Sequence, residues 1–217
     1  MTKNKQFDIT VIGNVGIDTN IYHSGKEIDF DVEANFTENL DYIGQAGGYA
    51  ARGFAQLGHK TAFIGYIGDD YHGKNILQKF HDDNIDTSGI FIDPAGTSRS
   101  VNFMFPDGRR KNFYDGKSHM ELAPDLKICE NILVKSKILH FHIPNWARRL
   151  LPMAREMNIP ISTDIQDVVD LNDHYRKDFI KYSDIIFFSA VNFDSPEIFI
   201  NHVWQKYPGK ILIAGMG

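Results

Sequence analysis

The sequence predicts an α/β fold with a mostly parallel central sheet, helices on both of its faces, and a small antiparallel β lid. Three observations predict it: short apolar, β-branched runs ending at glycine or polar residues, intervening stretches with apolar residues at helical spacing, and a hairpin pattern that interrupts this alternation in mid-chain.

Phe7 to Gly13 (FDITVIG) reads as a buried parallel strand. After the Gly47-Gly48 pair, Ala50, Gly53, Phe54 and Leu57 fall on one helical face, and Gly58 supplies a stop. Thr61 to Ile67 reads as a strand, and Gly73 to His81 as a helix that turns Ile76, Leu77 and Phe80 inward. The alternation resumes with strands at Ile138 to Ile143, Pro160 to Thr163, Asp184 to Phe188 and Ile211 to Ala214. Between them lie helices near Pro152 to Met157, around Asp173 to Tyr182, and after Ser195, where Pro196 suits the first helical position.

The interruption is a hairpin: Ser100 to Phe105, the turn signal Pro106-Asp107-Gly108, then Arg109 to Tyr114. A second extended segment is expected within residues 28–43. Lid segments at about 28–43 and 90–115 would therefore be inserted into one domain spanning residues 1–217, placed to close over the ends of the main strands.

Composition narrows the function. The 217 residues are 42% hydrophobic and carry a formal net charge of -5, which gives no basic footprint for nucleic acid or an anionic membrane surface. The single cysteine, Cys129, allows no intramolecular disulfide and fits a reducing, cytoplasmic setting. The expected partner is a small molecule.

Two side-chain patterns stand out before any resemblance. His140 and His142 point to one face of a strand at a spacing known for metal ligands, which raises a metal-dependent hydrolase as one alternative. No second histidine pair stands at another strand end, so no metal ligand is assigned. In the hairpin, Asn102 and Phe103 must lie on opposite faces, and either could face inward.

Several motifs occur together and in order: Gly13 to Asp18 (GNVGID) after the first strand, Gly47-Gly48 opening a helix that ends at Leu57-Gly58, and Ile67-Gly68-Asp69-Asp70 with Gly73. Asn84 to Gly89 (NIDTSG) and the Gly108-Arg109 hairpin follow. On these motifs the chain resembles the ribokinase-like carbohydrate and nucleoside kinases of the PfkB family, over essentially its whole length. The resemblance implies ATP and Mg2+ as cofactors and transfer of the γ-phosphoryl group to a hydroxyl of a sugar or sugar-like molecule. It implies substrate contact by Asp18, backbone approach at Gly47 and Gly48, lid contacts by Asn102 or Phe103, and a nucleotide-side role for Asp164.

Departures from the family pattern bear on the substrate. Arg52 stands where the family usually has an asparagine, as a ligand for an acidic group or as a solvent-facing helix residue. His142 stands before Ile143-Pro144 where ribose-type members carry a carboxylate, as a substrate contact or as a packed residue. Ser189 and Asn192 fall in the segment that corresponds to an Asn-x-x-Glu motif, where they act through water or form a simple loop. The Gly-Ala-Gly-Asp stretch that supplies the family's base is not found before Gly217, so the base is expected beyond that residue. A non-catalytic, small-molecule-binding relative is the other alternative, and pairing of lid edges would make a homodimer.

Overall fold

Strand β1 (Phe7–Ile12) is followed by β2 (Gly16–His23), β3 (Thr37–Gly44), α1 (Gln45–Gln56), β4 (Thr61–Ile67), α2 (Tyr71–Asp82) and β5 (Asp86–Ile92). Next come β6 (Ser98–Met104), β7 (Arg110–Asp115), α3 (Leu126–Leu133) and β8 (Ser136–Phe141). A 3₁₀ turn at Asn145–Leu150 runs into α4 (Leu151–Glu156), and β9 (Ile161–Asp167), α5 (Lys177–Tyr182), β10 (Ile185–Ser189), α6 (Pro196–Lys206) and β11 (Ile211–Gly215) complete the order. This computed structural model describes residues 5–170 and 172–216; the expected domain limits, residues 1 and 217, lie outside them.

Seven strands form a sheet in the order β11-β10-β9-β8-β1-β4-β5, and every pairing in it is parallel. Parallel neighbours need a crossover, and the intervening helices supply it while covering the sheet. On one face, Val11, Phe63 and Ile67 pack against Ala51 of α1 and Ile76 and Phe80 of α2. On the other, Ile12, Ile64, Leu139 and Phe141 meet Leu133 of α3, Trp146, Phe179 of α5 and Phe199 of α6.

Caps fix where several helices begin. The Asp70 carboxylate accepts from the Gly73 N–H at 2.8 Å, and it also accepts from the Thr97 N–H and hydroxyl, tying α2 to the loop before β6. Asp125 accepts from the amides of Lys127 and Ile128 at the start of α3. Ser195 does stand before Pro196 at the start of α6, but its hydroxyl bonds the Glu197 side chain rather than a backbone amide.

Three elements add to those expected from the sequence. β5 is interrupted by Thr87, Ser88 and Gly89, yet it pairs with β4 at the sheet edge. A Cβ at Gly89 would stand 2.8 Å from the Phe63 carbonyl, so the polar-looking glycine is what lets the strand sit close. The second is α3, and the third is β2, which begins inside the GNVGID motif.

The lid is a four-stranded sheet in the order β3-β2-β6-β7. Its limits differ from those expected. The first excursion is β2 and β3, residues 16–23 and 37–44; residues 24–36 are the loop between them, with Phe30 and Phe36 exposed. Residues 90–92 belong to β5 in the central sheet. β2 runs antiparallel to β3 and parallel to β6, which makes the lid mixed rather than wholly antiparallel. The reason is topological: the chain leaves the main sheet after β1 and again after β5, in the same direction each time.

Candidate active site

A cleft of about 1150 Å³ lies between the underside of the lid and the C-terminal ends of β1, β8, β9, β10 and β11. This is where a doubly wound sheet leaves room for ligands. Asn14 reaches it from the β1–β2 connection, Asp164 from β9, Ser189 from the end of β10, and Asp18, Ser100 and Asn102 from the lid.

Asp18 is buried and anchored. One carboxylate oxygen accepts the Gln45 N–H at 3.0 Å, and the Tyr49 hydroxyl stands beside the same side chain. Burial first, and then the Asp18 charge, push the Tyr49 phenol up to about 12, so it stays a donor. A carboxylate offers about four lone-pair positions, and these two contacts leave acceptor capacity toward the cleft.

Gln45 is the least anticipated member. It opens α1 with φ 60, a left-handed conformation that costs a non-glycine residue about 1 kcal/mol or more and tends to gather at functional sites. Its side-chain oxygen accepts from Asn14 at 3.0 Å and Ser98 at 2.9 Å. Its Nε2 is buried and has no hydrogen-bond partner among the described residues.

Gly47 and Gly48 pack the start of α1 onto the end of β1. A Cβ at Gly47 would fall 2.5 Å from the Asn14 carbonyl, which accepts the Gly48 N–H at 3.1 Å. Their closest neighbours are thus protein backbone and Val15, and their part is to hold Gln45 and Tyr49 over Asp18.

The lid alternation resolves the Asn102 and Phe103 pair. Asn102 lines the cleft; Phe103 is on the outer face, edge-on to Phe113 at 5.7 Å, and is corrected from a cleft residue to a packing one. Arg52 is also corrected. Its Nε donates to Asp83 at 2.7 Å and Nη1 donates to the Ile43 carbonyl, so the guanidinium is turned to the C-terminus of α2 and away from the cleft. Burial of Asp83 opposes its ionisation, but hydrogen bonds from Arg52 and Lys79 outweigh that and hold its carboxyl below the usual range.

His142 is 2% exposed, lies against Gly13, and does not line the cleft. Its ring is 4.7 Å from that of His140, which bonds the Ser162 hydroxyl at 2.8 Å. Among the described residues no group of three or more His, Cys, Asp or Glu is placed to hold a metal ion, so the hydrolase alternative has no ligand set. Asn192 donates to the Val168 carbonyl at 3.2 Å and does not line the cleft, whereas Ser189 does.

Burial raises the Asp164 carboxyl above its ordinary 3.8, with a backbone hydrogen bond from Gln166 opposing. The folded chain thus holds this proton more tightly than the unfolded chain, and stability falls as pH rises through the carboxylate range. Asp164→Asn is expected to raise the thermal midpoint of the unliganded chain at pH 7, with the gain vanishing as pH falls to about 4. A midpoint that drops at pH 7 would refute this.

The comparisons with known proteins agree with this geometry. The family model described as pfkB family carbohydrate kinase matches residues 7–154. The chain belongs to the PfkB family of carbohydrate kinases. Membership carries ATP-dependent phosphorylation of a sugar as its reaction, with ATP as phosphate donor. The chain is 25% identical to an acarbose 7(IV)-phosphotransferase from an Actinoplanes species over 97% of its own length and 70% of that protein. It is 33% identical to a 5-dehydro-2-deoxygluconokinase of Bacillus licheniformis over 62% of its own length and 41% of that protein. Among solved structures, a microbiome-derived acarbose kinase superposes with a TM-score of 0.87 and 28% identity, covering 98% of this chain and 70% of that one. A ribokinase of Arabidopsis thaliana, at 15% identity and a TM-score of 0.72 over 96% of this chain and 71% of that one, shares the fold. No helix among the described residues is long and apolar enough to cross a membrane.

Proposed function

We propose that this PfkB chain binds a polyhydroxylated sugar between Asp18 and the lid and presents one hydroxyl to ATP at the strand ends near Asp164 and Ser189. The observation that carries the reading is Asp18 itself: a buried carboxylate held from behind by Gln45 and Tyr49, with acceptor positions left for sugar hydroxyls. Asn102 would close on the sugar from above. Asp18 is engaged with α1, so it is assigned to holding the sugar rather than to taking its proton.

Asp164 fits a hydrated Mg2+ carried with the nucleotide. Magnesium keeps several waters and needs only one or two carboxylates, and among the described residues Asp164 has no ion-pair partner to offset its burial. The cation would neutralise phosphate charge during transfer. Ser189 would contact the same water shell; Asn192, bonded to Val168, is left out.

Asp18→Asn keeps an acceptor for Gln45 but loses the charge. It is expected to weaken sugar binding by roughly 1–3 kcal/mol, about 5- to 150-fold, read by calorimetry on the best ligand of a sugar screen. Equal affinity in a folded variant would reassign Asp18 to holding the helix. We further propose a cytoplasmic homodimer formed through the outer lid face, where Phe113 is exposed beside Phe103 and the outer strands β3 and β7 have free edges. Sedimentation that reports a monomer at every concentration up to tens of micromolar would overturn it.

A further inference from the structure

Resting on the reading that Asp18 anchors the ring to be phosphorylated, we infer that the lid carries a second sugar subsite and that the substrate is an oligosaccharide of at least two rings. The argument begins with strand register. On the cleft face, cross-strand pairing sets Asp18, Ser100 and Tyr114 in one row, Asn20, Asn102 and Asn112 in the next, and Tyr22, Met104 and Arg110 in a third. Successive rows are two residues apart along each strand, about 6.5–7 Å, which is on the order of one pyranose ring.

The middle row is an oriented amide ladder. Asn112 donates to Asn102 at 2.9 Å, Asn102 donates to Asn20 at 2.9 Å, and Asn20 donates to the Tyr22 hydroxyl at 3.3 Å. Each primary amide has two N–H donors and two acceptor positions, so every member keeps at least one donor and one acceptor position after these bonds. Neighbouring donors and acceptors held in fixed planes match vicinal hydroxyls, each of which both donates and accepts. The row is uncharged, which suits a neutral ring and gives no counter-charge for a phosphate or carboxylate at that position.

Aromatic side chains frame the ladder. Tyr114 stands in the row on the Asp18 side and Tyr22 in the row beyond, and both combine an apolar ring with a polar tip, as a sugar's faces and hydroxyls require. Arg110, on the far side of the ladder, lines the same cleft, so the open space continues past the Asp18 row along the lid.

The test is calorimetry on the whole chain with glucose, galactose, maltose, maltotriose and acarbose. At least one ligand of two or more rings is expected to bind tenfold or more tightly than either monosaccharide. Asn112 sits on an exposed edge strand, and Asn112→Ala is expected to shrink that affinity ratio at least fivefold. A best monosaccharide that binds as tightly as every longer ligand overturns the second subsite, as does an Asn112→Ala variant with the original ratio. Failure of the underlying reading looks different: Asp18→Asn would then leave the affinities for short and long ligands alike where they were.

Discussion

Acidification from pH 6.5 to 4 is expected to remove about 3 kcal/mol of folding stability through His140 alone. His140 is 7% exposed and is packed edge-on by Phe54, His142 and Phe187, and among the described residues the Ser162 hydroxyl is its only hydrogen-bond partner. Burial depresses its pKa from 6.5 to about 4. The sign follows directly. Above 6.5 both the folded and unfolded chains are neutral at this residue; below it the unfolded chain takes a proton that the folded chain refuses until about pH 4, so stability is lost across that window. His142 is buried more deeply, and burial first and the neighbouring His140 second hold its pKa well below 6.5. Neither of its ring nitrogens has a partner among the described residues.

Denaturant unfolding at pH 7, 5.5 and 4.5 measures the slope, and His142→Leu should flatten it by removing one of the two groups. Among the acidic side chains, Asp164, raised by burial, opposes the histidines in this window and is removed by using Asp164→Asn as the background. Asp70, Asp83 and Asp173 are held below 3.8, so the stability they contribute is lost at lower pH than the histidine window. A folded-state titration of His140 near 6.5, followed by NMR, would refute the account.

This histidine pair shows what a sequence can and cannot disclose. Strand periodicity placed both rings on one face, which is correct, but the partners that decide between metal site and packed core sit on α1 and β10, far away in the chain. Arg52 was misjudged for the same reason. Helical spacing relates it to Gly48, while its partner Asp83 is 31 residues on, at the end of another helix. The seven-stranded sheet was legible because buried parallel strands are nearly continuous apolar runs. The lid was legible as a hairpin and as an extended segment that overlaps β3, but not at β2, which alternates polar side chains toward the cleft with others toward the outer face. Once Asp18 was singled out, that alternation could have nominated Asn20 and Tyr22 as its neighbours. No local signal marks Gln45, whose left-handed backbone is imposed by the junction between the lid and α1.

That junction sets the second large effect, in which three glycines of α1 should respond to alanine in opposite directions. Within a helix, alanine is favoured over glycine by about 1 kcal/mol. At Gly53 a Cβ would meet nothing within 4 Å, so Gly53→Ala should gain about that 1 kcal/mol. At Gly47 the same Cβ would stand 2.5 Å from the Asn14 carbonyl and 3.1 Å from the Asn14 nitrogen. Backbone there cannot step aside without lengthening the Gly48 N–H bond to Asn14, so the clash outweighs propensity, and Gly47→Ala should lose about 3 kcal/mol. Gly48 lies between these cases, because its nearest neighbour is the Val15 side chain at 2.8 Å, which can rotate or shift. The effect on binding separates packing from function. Displacing the start of α1 moves the Gln45 amide and the Tyr49 hydroxyl off Asp18, so Gly47→Ala should weaken sugar affinity even at temperatures where the variant stays folded, while Gly53→Ala should not. Denaturant unfolding with calorimetry on the same three variants decides the matter: a Gly47→Ala protein as stable as Gly53→Ala, with full sugar affinity, would mean that the helix is not held against β1 in the way that Asp18 requires.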